Sequence, residues 1–535
     1  MGLAIYNDNE SCFIKESLLK EAFPEIEEYL DYTYDLKKAY VILKWMGLEL
    51  NQVKFDTMIA ASLLDYNVKD DIAYLAGVFD ENIDFYENFY GKPGREKEVE
   101  LSLLAYHASS KARFIYESIH VLKDKLNQEK MMELFETIEM PLAITLGDME
   151  YQGVHIASNE LDKMGEELSV RIEACEKNIH EQAGTTFNIS SPKELGVVLF
   201  ENLGLPHGKK TARGYSTAID VLNKLKGVHP IIDMIIEYRM LTKLYTTYIE
   251  GLKNSIMEDG KIHTIYTQVL TRTGRLSSIE PNLQNIPTRN EYGKNIRKAF
   301  IPSENSVILS GDYSQIELRI FTHMAKIDTL IDAFKKDYDI HTKTASDVFH
   351  VSQDQVTSEM RRVAKAVNFG IIYGISSYGL SENLNISVGE AKQFMDNYFE
   401  AYPGIHEYMN ESIKKAREDG MVTTLLGRTR KIPELNNSNY MIRHQGERIA
   451  LNTPIQGTSA DIIKKAMIEV QKAFKKHKLK SKMILQVHDE LIIDCRKDEL
   501  EIVSKLLKEI MENTYQLDVP LKVDLNYGKN WYDAK

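Results

Sequence analysis

Val307-Ile308-Leu309-Ser310-Gly311-Asp312-Tyr313-Ser314-Gln315-Ile316-Glu317-Leu318-Arg319 is the stretch that decides how this chain is read. Val307 to Ser310 is an apolar run of strand length ending at Gly311-Asp312. Ile316, Leu318, Ile320 and Phe321 then supply the apolar residues of a helix. A second acidic break lies far down the chain. Met483 to Val487 and Leu491 to Ile493 are apolar runs flanking His488-Asp489-Glu490, which predicts a hairpin with an acidic tip. An aspartate at a strand end commonly caps or turns the chain, and that reading stands for either residue alone. Two of them raise another. Phosphoryl transfer asks a protein for two divalent cations about 3.5–4 Å apart, held by carboxylates on fixed strands. Hard oxygen ligands suit Mg²⁺ rather than Zn²⁺.

Between these two aspartates, Arg361, Lys365, Phe369 and Tyr373 recur at intervals of four. At 3.6 residues per turn each is displaced by about 40° from the last, so one helix face presents two cations, a ring and a phenol. A triphosphate matches the cations, and a base or sugar matches the rings. The alternative is a helix whose cations snorkel to solvent while its aromatics enter the core. The pattern predicts that the helix continues through Asn368-Phe369-Gly370 and Tyr373-Gly374. Glycine inside a helix costs about 1 kcal/mol, so each implies a close neighbour or a hinge.

Around these motifs lie 535 residues, 43% hydrophobic and 27% charged, the composition of a globular protein. Domains of about 100–200 residues imply three or four structural units. No apolar run approaches the roughly 18–20 residues of a membrane span. Asp8 and Glu10 break any signal-peptide pattern. Cys12, Cys175 and Cys495 are too scattered for a disulfide framework or a metal knuckle, so a reducing, cytoplasmic setting is expected. Of the net charge of −13, −9 falls in residues 1–130, which leaves the rest free to gather cations on one face. The net acidity therefore does not exclude nucleic acid.

Residues 1 to about 125 mix short β-like runs with acidic helical stretches, with a loop at Gly91-Lys92-Pro93-Gly94. From 126 to 260 the pattern is mainly helical. Ser191-Pro192-Lys193-Glu194 reads as a capping box with proline at the first helical position, and an amphipathic helix is expected from Ile231 to Leu252. Lys209, Lys210 and Arg213 between them form either a solvated loop or a phosphate contact. Asn452-Thr453-Pro454-Ile455-Gln456-Gly457 is expected to open a helix whose N-terminus favours phosphate or polar partners. Tyr402-Pro403-Gly404 and Gly427-Arg428 punctuate the helical region before it.

Asp312 through Arg319 resembles the first carboxylate motif of family A DNA polymerases. Arg361 through Gly374 resembles their nucleotide-binding helix, and Gln486 through Glu490 their second carboxylate motif. Thr273-Gly274-Arg275-Leu276-Ser277-Ser278, followed by Pro281-Asn282-Leu283-Gln284-Asn285-Ile286-Pro287, matches a further signature in the same order. The resemblance covers essentially the whole chain. It is nearest to the large, Klenow-like fragment of bacterial DNA polymerase I of Gram-positive, Bacillus type.

The resemblance implies an α+β right hand: thumb 126–260, palm 261–325 and 451–535, and fingers 326–450, preceded by a partial, RNase H-like 3′–5′ exonuclease domain over 1–125. It implies a template-directed DNA polymerase of replication and repair, a monomer in the bacterial cytoplasm at the nucleoid, with no membrane partner. Asp312, Asp489 and the Tyr313 carbonyl hold two Mg²⁺ ions, for which Mn²⁺ substitutes, and Glu490 supports them. Arg361 and Lys365 bind the triphosphate, and Lys365 also takes part in catalysis. Phe369, Tyr373, Gln315, Glu317 and His341 complete the dNTP pocket, with Glu317 crowding the 2′ position. Arg275, Arg448, Asn452, Gln456 and His488 contact primer–template DNA, as do Lys209, Lys210 and Arg213. In the minor groove every correct pair offers acceptors at purine N3 and pyrimidine O2, so donors there test geometry without reading sequence. For Arg448 and Asn452 a merely structural helix role stays open.

A single-subunit RNA polymerase shares the palm logic, but Glu317 as a ribose-excluding residue opposes it. A dead DNA-binding factor would have lost a carboxylate, and a nuclease would not need the face at Arg361 to Tyr373. Proofreading is not expected. Leu3 to Tyr6 aligns with the strand after the exonuclease Asp-x-Glu pair, as though the chain began inside that domain. Tyr106-His107-Ala108-Ser109-Ser110 fits the Tyr-x-x-x-Asp motif with Ser110 in place of aspartate. Asp35 is either a remnant of a second aspartate or a turn residue, and Tyr106 is expected to be a core aromatic.

Overall fold

The run around Val307 forms a longer strand than its apolar residues predict. β1 (Ser306–Tyr313) does not end at Gly311-Asp312 but carries both to Tyr313. A side chain at 311 would meet Leu507 at 3.0 Å and Met511 at 3.1 Å, so glycine lets the helix Leu500–Asn513 lie against the strand. The Tyr313 hydroxyl donates to the Met511 carbonyl at 2.7 Å, fixing the end of β1. The chain then turns through left-handed Gln315 (φ 55°) into α1 (Ile316–Ala325). Buried Arg319 pins that turn: its Nε donates to the Ser314 carbonyl at 2.8 Å and its Nη1 to the Pro520 carbonyl at 2.6 Å.

α2 (Ile340–Phe349), α3 (Ser358–Ile372) and α4 (Tyr440–Lys476) follow. β2 (Lys482–Val487) and β3 (Glu490–Arg496) pair antiparallel, and β4 (Val523–Gly528) completes a sheet of order β2-β3-β1-β4. Val487 pairs with Glu490, so the hairpin turn is His488-Asp489 alone, with His488 left-handed at φ 55°. Glu490 is therefore not part of an acidic tip. It is the first residue of β3 and 1% exposed.

The computed structural model describes all residues except Met1, Asn9, Lys69, Asp70, Pro93, Gly208, Lys209, Thr211, Ala212, Arg213 and Arg289. The elements above belong to a unit made of 1–152, 266–278 and 310–525, which β1 and β4 enter and leave at its edges. Its N-terminal part holds an antiparallel hairpin, Gly2–Tyr6 with Ser11–Lys15, and a short parallel pair, Tyr32–Thr33 with Phe55–Asp56. The helices Leu36–Trp45, Thr57–Leu63 and Leu101–Gln128 share one apolar core with them through Leu36, Leu43, Phe55, Ile59, Phe114 and Leu122. Gly91–Lys92, expected to be loop, pairs antiparallel with Arg95–Glu96. Tyr106 is not a core aromatic, being 74% exposed.

The second unit comprises 153–265, 279–309 and 526–535. Its helices include Ser158–Ala183 and Pro230–Lys243, the latter continuing as a π-helix over Leu244–Glu250 and then Gly251–Asn254, which fulfils the helix expected from Ile231 to Leu252. Ser191 caps Pro192–Val197 by accepting from the Glu194 N–H at 3.3 Å. The Glu194 carboxylate accepts instead from the Asn188 N–H at 2.9 Å, so only half of the expected capping box forms.

One further expectation fails in the first unit. Asn452-Thr453-Pro454 does not open a helix: it lies in the middle of the 37-residue α4. Phosphate binding at a helix N-terminus therefore does not apply to it. Gly427-Arg428 does punctuate the chain, in the turn between the paired strands Met421–Thr423 and Thr429–Lys431, but Arg428 is also a buried cation, 7% exposed. Its guanidinium meets Asp461 at 2.6 Å and also Glu139, while Lys464 Nζ reaches Glu139 at 2.7 Å. Burial alone would raise the Glu139 carboxyl, but Lys464 and Arg428 outweigh it and bring it down to about 2. Removing one partner from such a cluster strands a charge in the interior. Arg428→Met should thus destabilise the first unit by about 3–5 kcal/mol in urea unfolding, and an unchanged midpoint would contradict that reading.

Candidate active site

β1 and β3 bring the two carboxylate motifs together. The Tyr313 N–H donates to the Asp489 carbonyl at 3.0 Å, so Asp312 and Asp489 stand at the same end of neighbouring strands, which run about 4.8 Å apart. Both are half-buried. The turn between β2 and β3 is braced from within: Gln486 Nε2 donates to the His488 carbonyl at 2.5 Å, and the Gln486 N–H to the buried Tyr266 hydroxyl at 3.3 Å. Buried Glu490 accepts from Ser310 Oγ at 2.7 Å, tying β3 to β1 behind the aspartates. His488 is exposed beside them.

Whether this end of the sheet suits divalent cations follows from its donors. Asp312, Asp489 and the Tyr313 carbonyl offer hard oxygens only. Among the described residues no cluster of three or more His, Cys, Asp and Glu side chains is placed to ligate a metal. Mg²⁺ characteristically takes one or two carboxylates and completes its shell with water and substrate phosphate. The donor set fits that pattern and not a closed structural site.

α3 delivers the predicted face. Arg361 and Lys365 are exposed and Phe369 half-buried on it. The helix stops at Ile372, earlier than expected, so Tyr373 is its C-cap and Gly374 turns left-handed at φ 64°. Both glycines have the close neighbours their presence implies. A side chain at 370 would meet Ile375 at 2.6 Å, and one at 374 would meet Arg448 at 3.2 Å. Asn452 Nδ2 donates to the Tyr373 carbonyl at 3.4 Å. Arg448, Asn452 and half-buried Gln456 succeed one another at intervals of four along α4.

Glu317 on α1 is 6% exposed, and its carboxylate accepts from both Arg275 and the Tyr373 hydroxyl. Burial, with Glu317 beside it, pushes the Tyr373 phenol up. One carboxylate thereby joins the Thr273–Ser278 signature, α1 and the end of α3. Gln315 forms the turn that starts α1.

His341 on α2 is 3% exposed, its ring 5.7 Å from that of Phe369. Burial, helped by Arg361 and Lys365 and opposed by Asp339, pushes its pKa down to about 4. Asn368 Nδ2 lies 3.1 Å from His341 Nδ1. An amide nitrogen only donates, so Nδ1 accepts and the neutral ring carries its proton on Nε2.

Lys209 and Arg213 lie outside the described residues. Lys210, in the second unit, is exposed, paired with Glu201 at 2.7 Å and set over the Tyr215 ring at 4.6 Å. Sequence reasoning misses Asn368, which fixes the His341 tautomer, and Asp339, which caps α2 and accepts from Arg361 Nε at 2.7 Å. An aspartate before a helical pattern signals a cap, but nothing local signals a partner 22 residues on.

A family model described as "DNA polymerase family A" matches residues 158–533, and one described as "DNA polymerase I, ribonuclease H-like domain" matches residues 1–118. DNA polymerase I of Bacillus subtilis (strain 168) is 49% identical over 544 residues, and that of Bacillus caldotenax 48% over 547. Each alignment covers 100% of this chain but 62% of the relative, so the chain spans about three-fifths of the length of these proteins. The Bacillus-type likeness of the motifs is thus met at just under half identity. Among solved structures, the POL domain of Pol1 from M. smegmatis, in complex with DNA primer-template and dNTP, gives a TM-score of 0.89 at 37% identity. That match covers 99% of this chain and 92% of the other.

A depressed pKa means that the folded state holds His341 neutral where the unfolded chain begins to protonate it. Its contribution to stability is present above about pH 6.5 and is lost as pH falls toward 4. ¹⁵N NMR of histidine-labelled protein, with His341→Gln for assignment, should show a neutral Nε2–H ring at pH 6. A midpoint near 6.5 would contradict this.

Proposed function

Since the chain belongs to DNA polymerase family A, we propose that it is a template-directed DNA polymerase that adds dNTPs to a primer 3′-hydroxyl. The observation that carries the reading is the Tyr313–Asp489 hydrogen bond, which makes neighbours of Asp312 and Asp489, in a unit that also holds the cationic face of α3. Its substrates would be primer–template DNA and dNTPs, the molecules bound to the M. smegmatis domain. We read 126–260 as thumb, 261–325 with 451–535 as palm and 326–450 as fingers. A monomer working on cytoplasmic DNA is the corresponding cellular reading. No helix of the described residues is long and apolar enough to cross a membrane.

Asp312, Asp489 and the Tyr313 carbonyl would hold two Mg²⁺ ions, with Mn²⁺ able to replace them. Two such ions, when bound, favour attack by the primer hydroxyl and stabilise charge on the transferred and leaving phosphates. Glu490 keeps β3 in register with β1. Arg361 and Lys365 supply fixed cations to the triphosphate, and Phe369 gives a face for sugar and base. Neutral His341 offers an Nε2–H donor beside that face. Glu317, held by Arg275 and Tyr373, occupies the space a 2′-hydroxyl would need. Gln315 lies at the turn just before it. Arg275, Arg448, Asn452, Gln456 and His488 would meet the primer–template, and Lys209, Lys210 and Arg213 its phosphates.

The first 125 residues are read as a vestigial exonuclease-like domain. Ser110 stands where that chemistry needs a carboxylate, and its hydroxyl is spent on the Tyr106 carbonyl at 2.9 Å. Asp35 is a left-handed helix cap that accepts from the Lys38 N–H at 3.1 Å.

Primer extension with Mg²⁺ tests the reading. Asp312→Ala and Asp489→Ala should each lose several orders of magnitude in rate while keeping DNA affinity, because phosphate and groove contacts supply binding. Extension within about tenfold of the parent, only ~1.4 kcal/mol of barrier, would overturn the metal assignment. Without dNTPs, a mismatched primer should stay intact. For the sugar pocket, Glu317→Ala should admit ribonucleotides and Phe369→Tyr should accept dideoxynucleotides more readily. Unchanged sugar selectivity in both variants would place the pocket elsewhere.

A further inference from the structure

Asp339 is the N-cap of α2, and all of its side-chain contacts converge on one geometry. Oδ1 accepts from the His341 N–H at 3.0 Å. Oδ2 accepts from Thr342 Oγ1 at 2.8 Å and from Arg361 Nε at 2.7 Å. Two of these three donors belong to the first turn of α2 itself, so the carboxylate is immobilised by its own helix before it touches Arg361. Burial works against its charge, but the hydrogen bonds from Arg361, Thr342 and the His341 N–H prevail and bring its carboxyl down to about 2. It is therefore an anion at any working pH.

Arg361 is gripped by its inner nitrogen alone. Among the described residues neither Nη1 nor Nη2 has a hydrogen-bond partner, and the side chain is 45% exposed. A long flexible side chain is thus fixed near its base while its outer edge, the edge that forms paired hydrogen bonds with phosphate oxygens, stays free. The same α2 turn carries His341, whose ring packs against Phe369. One rigid helix start therefore registers the cation and the aromatic platform of α3 against each other.

We propose that Asp339 is a positioning residue that orients Arg361 for the nucleotide triphosphate, acting through the Nε grip and not by touching substrate. This deepens the polymerase reading and rests on it. A purely attractive electrostatic account would predict the reverse sign, since an anion beside the pocket repels a triphosphate. Removing Asp339 should then tighten nucleotide binding. The positioning account predicts weaker binding, so the two are separated by direction.

The substitution of choice is Asp339→Ser. Serine is as good an N-cap as aspartate, so α2 keeps its start, while the shorter side chain cannot reach Arg361. Steady-state single-nucleotide incorporation should show the KM for dNTP raised by about five- to tenfold, with kcat within about twofold, the pattern of lost binding shared by ground and transition states. Arg361→Ala should raise KM at least as far. The Asp339→Ser, Arg361→Ala double variant should match Arg361→Ala alone, because residues acting through one contact are not additive. A KM that is unchanged or lower in Asp339→Ser, or full additivity in the double variant, would overturn the proposal while leaving the polymerase reading standing. If Arg361→Ala itself leaves KM unchanged, the assignment of Arg361 to the triphosphate fails, and the positioning role falls with it. Equal thermal midpoints for Asp339→Ser and the parent would show that the KM change is not a folding defect.

Discussion

The candidate site depends on one backbone hydrogen bond. The Tyr313 N–H meets the Asp489 carbonyl at 3.0 Å, and through it β1 and the β2–β3 turn share an edge. Every other element near the site either holds that juxtaposition or uses it. The Leu500–Asn513 helix presses on β1 where Gly311 has no side chain, and Tyr313 is tied to Met511. Glu490, a buried carboxyl that accepts from Ser310, links the same two strands one step back. A sheet end braced on several sides lets two half-buried carboxylates keep their places despite mutual repulsion, which is what preorganisation for cations demands.

A second layer of order comes from charged contacts. Glu317 ties Arg275 to Tyr373. Asp339 ties the start of α2 to Arg361. Glu139 and Arg428 close a buried cluster with Asp461 and Lys464 of α4. Buried Glu317 and Glu139 are matched by donors and cations from segments distant in sequence, whereas exposed Asp339 is held by its own helix start and by Arg361. Such contacts contribute uniqueness of arrangement more than net stability, and the first two face the pocket where arrangement matters.

Local features of the sequence are legible. The strand around Val307, the apolar runs flanking His488-Asp489 and the four-residue recurrence from Arg361 all follow from periodicity and are found in the structure. The glycines at 370 and 374 imply close neighbours, and Ile375 and Arg448 are those neighbours. Pairing across the chain is not legible in this way. That Asp312 faces the turn at Asp489 is a long-range register, and the resemblance to a family, not the spacing, points to it. Asn452-Thr453-Pro454 looks like a helix start because proline favours first helical positions. Here α4 is already running from Tyr440, and burial of Thr453, Ile455, Gly457 and Thr458 offsets the roughly 3 kcal/mol that an interior proline costs. Arg428 follows a turn glycine and lies in that turn as read, but its burial is not legible, since its partners Glu139 and Asp461 leave no local trace.

The central claim is that Asp312 and Asp489 jointly hold two divalent cations at one end of the sheet. Crystals grown with Mn²⁺, a dideoxy-terminated primer–template and the next dNTP test it most directly, by anomalous scattering at the manganese edge. The account predicts two peaks about 3.5–4 Å apart, both within ligand distance of Asp312 and Asp489, with the Tyr313 carbonyl on one of them. A bound nucleotide with no metal at these aspartates, or with its ions held by other residues, would contradict it.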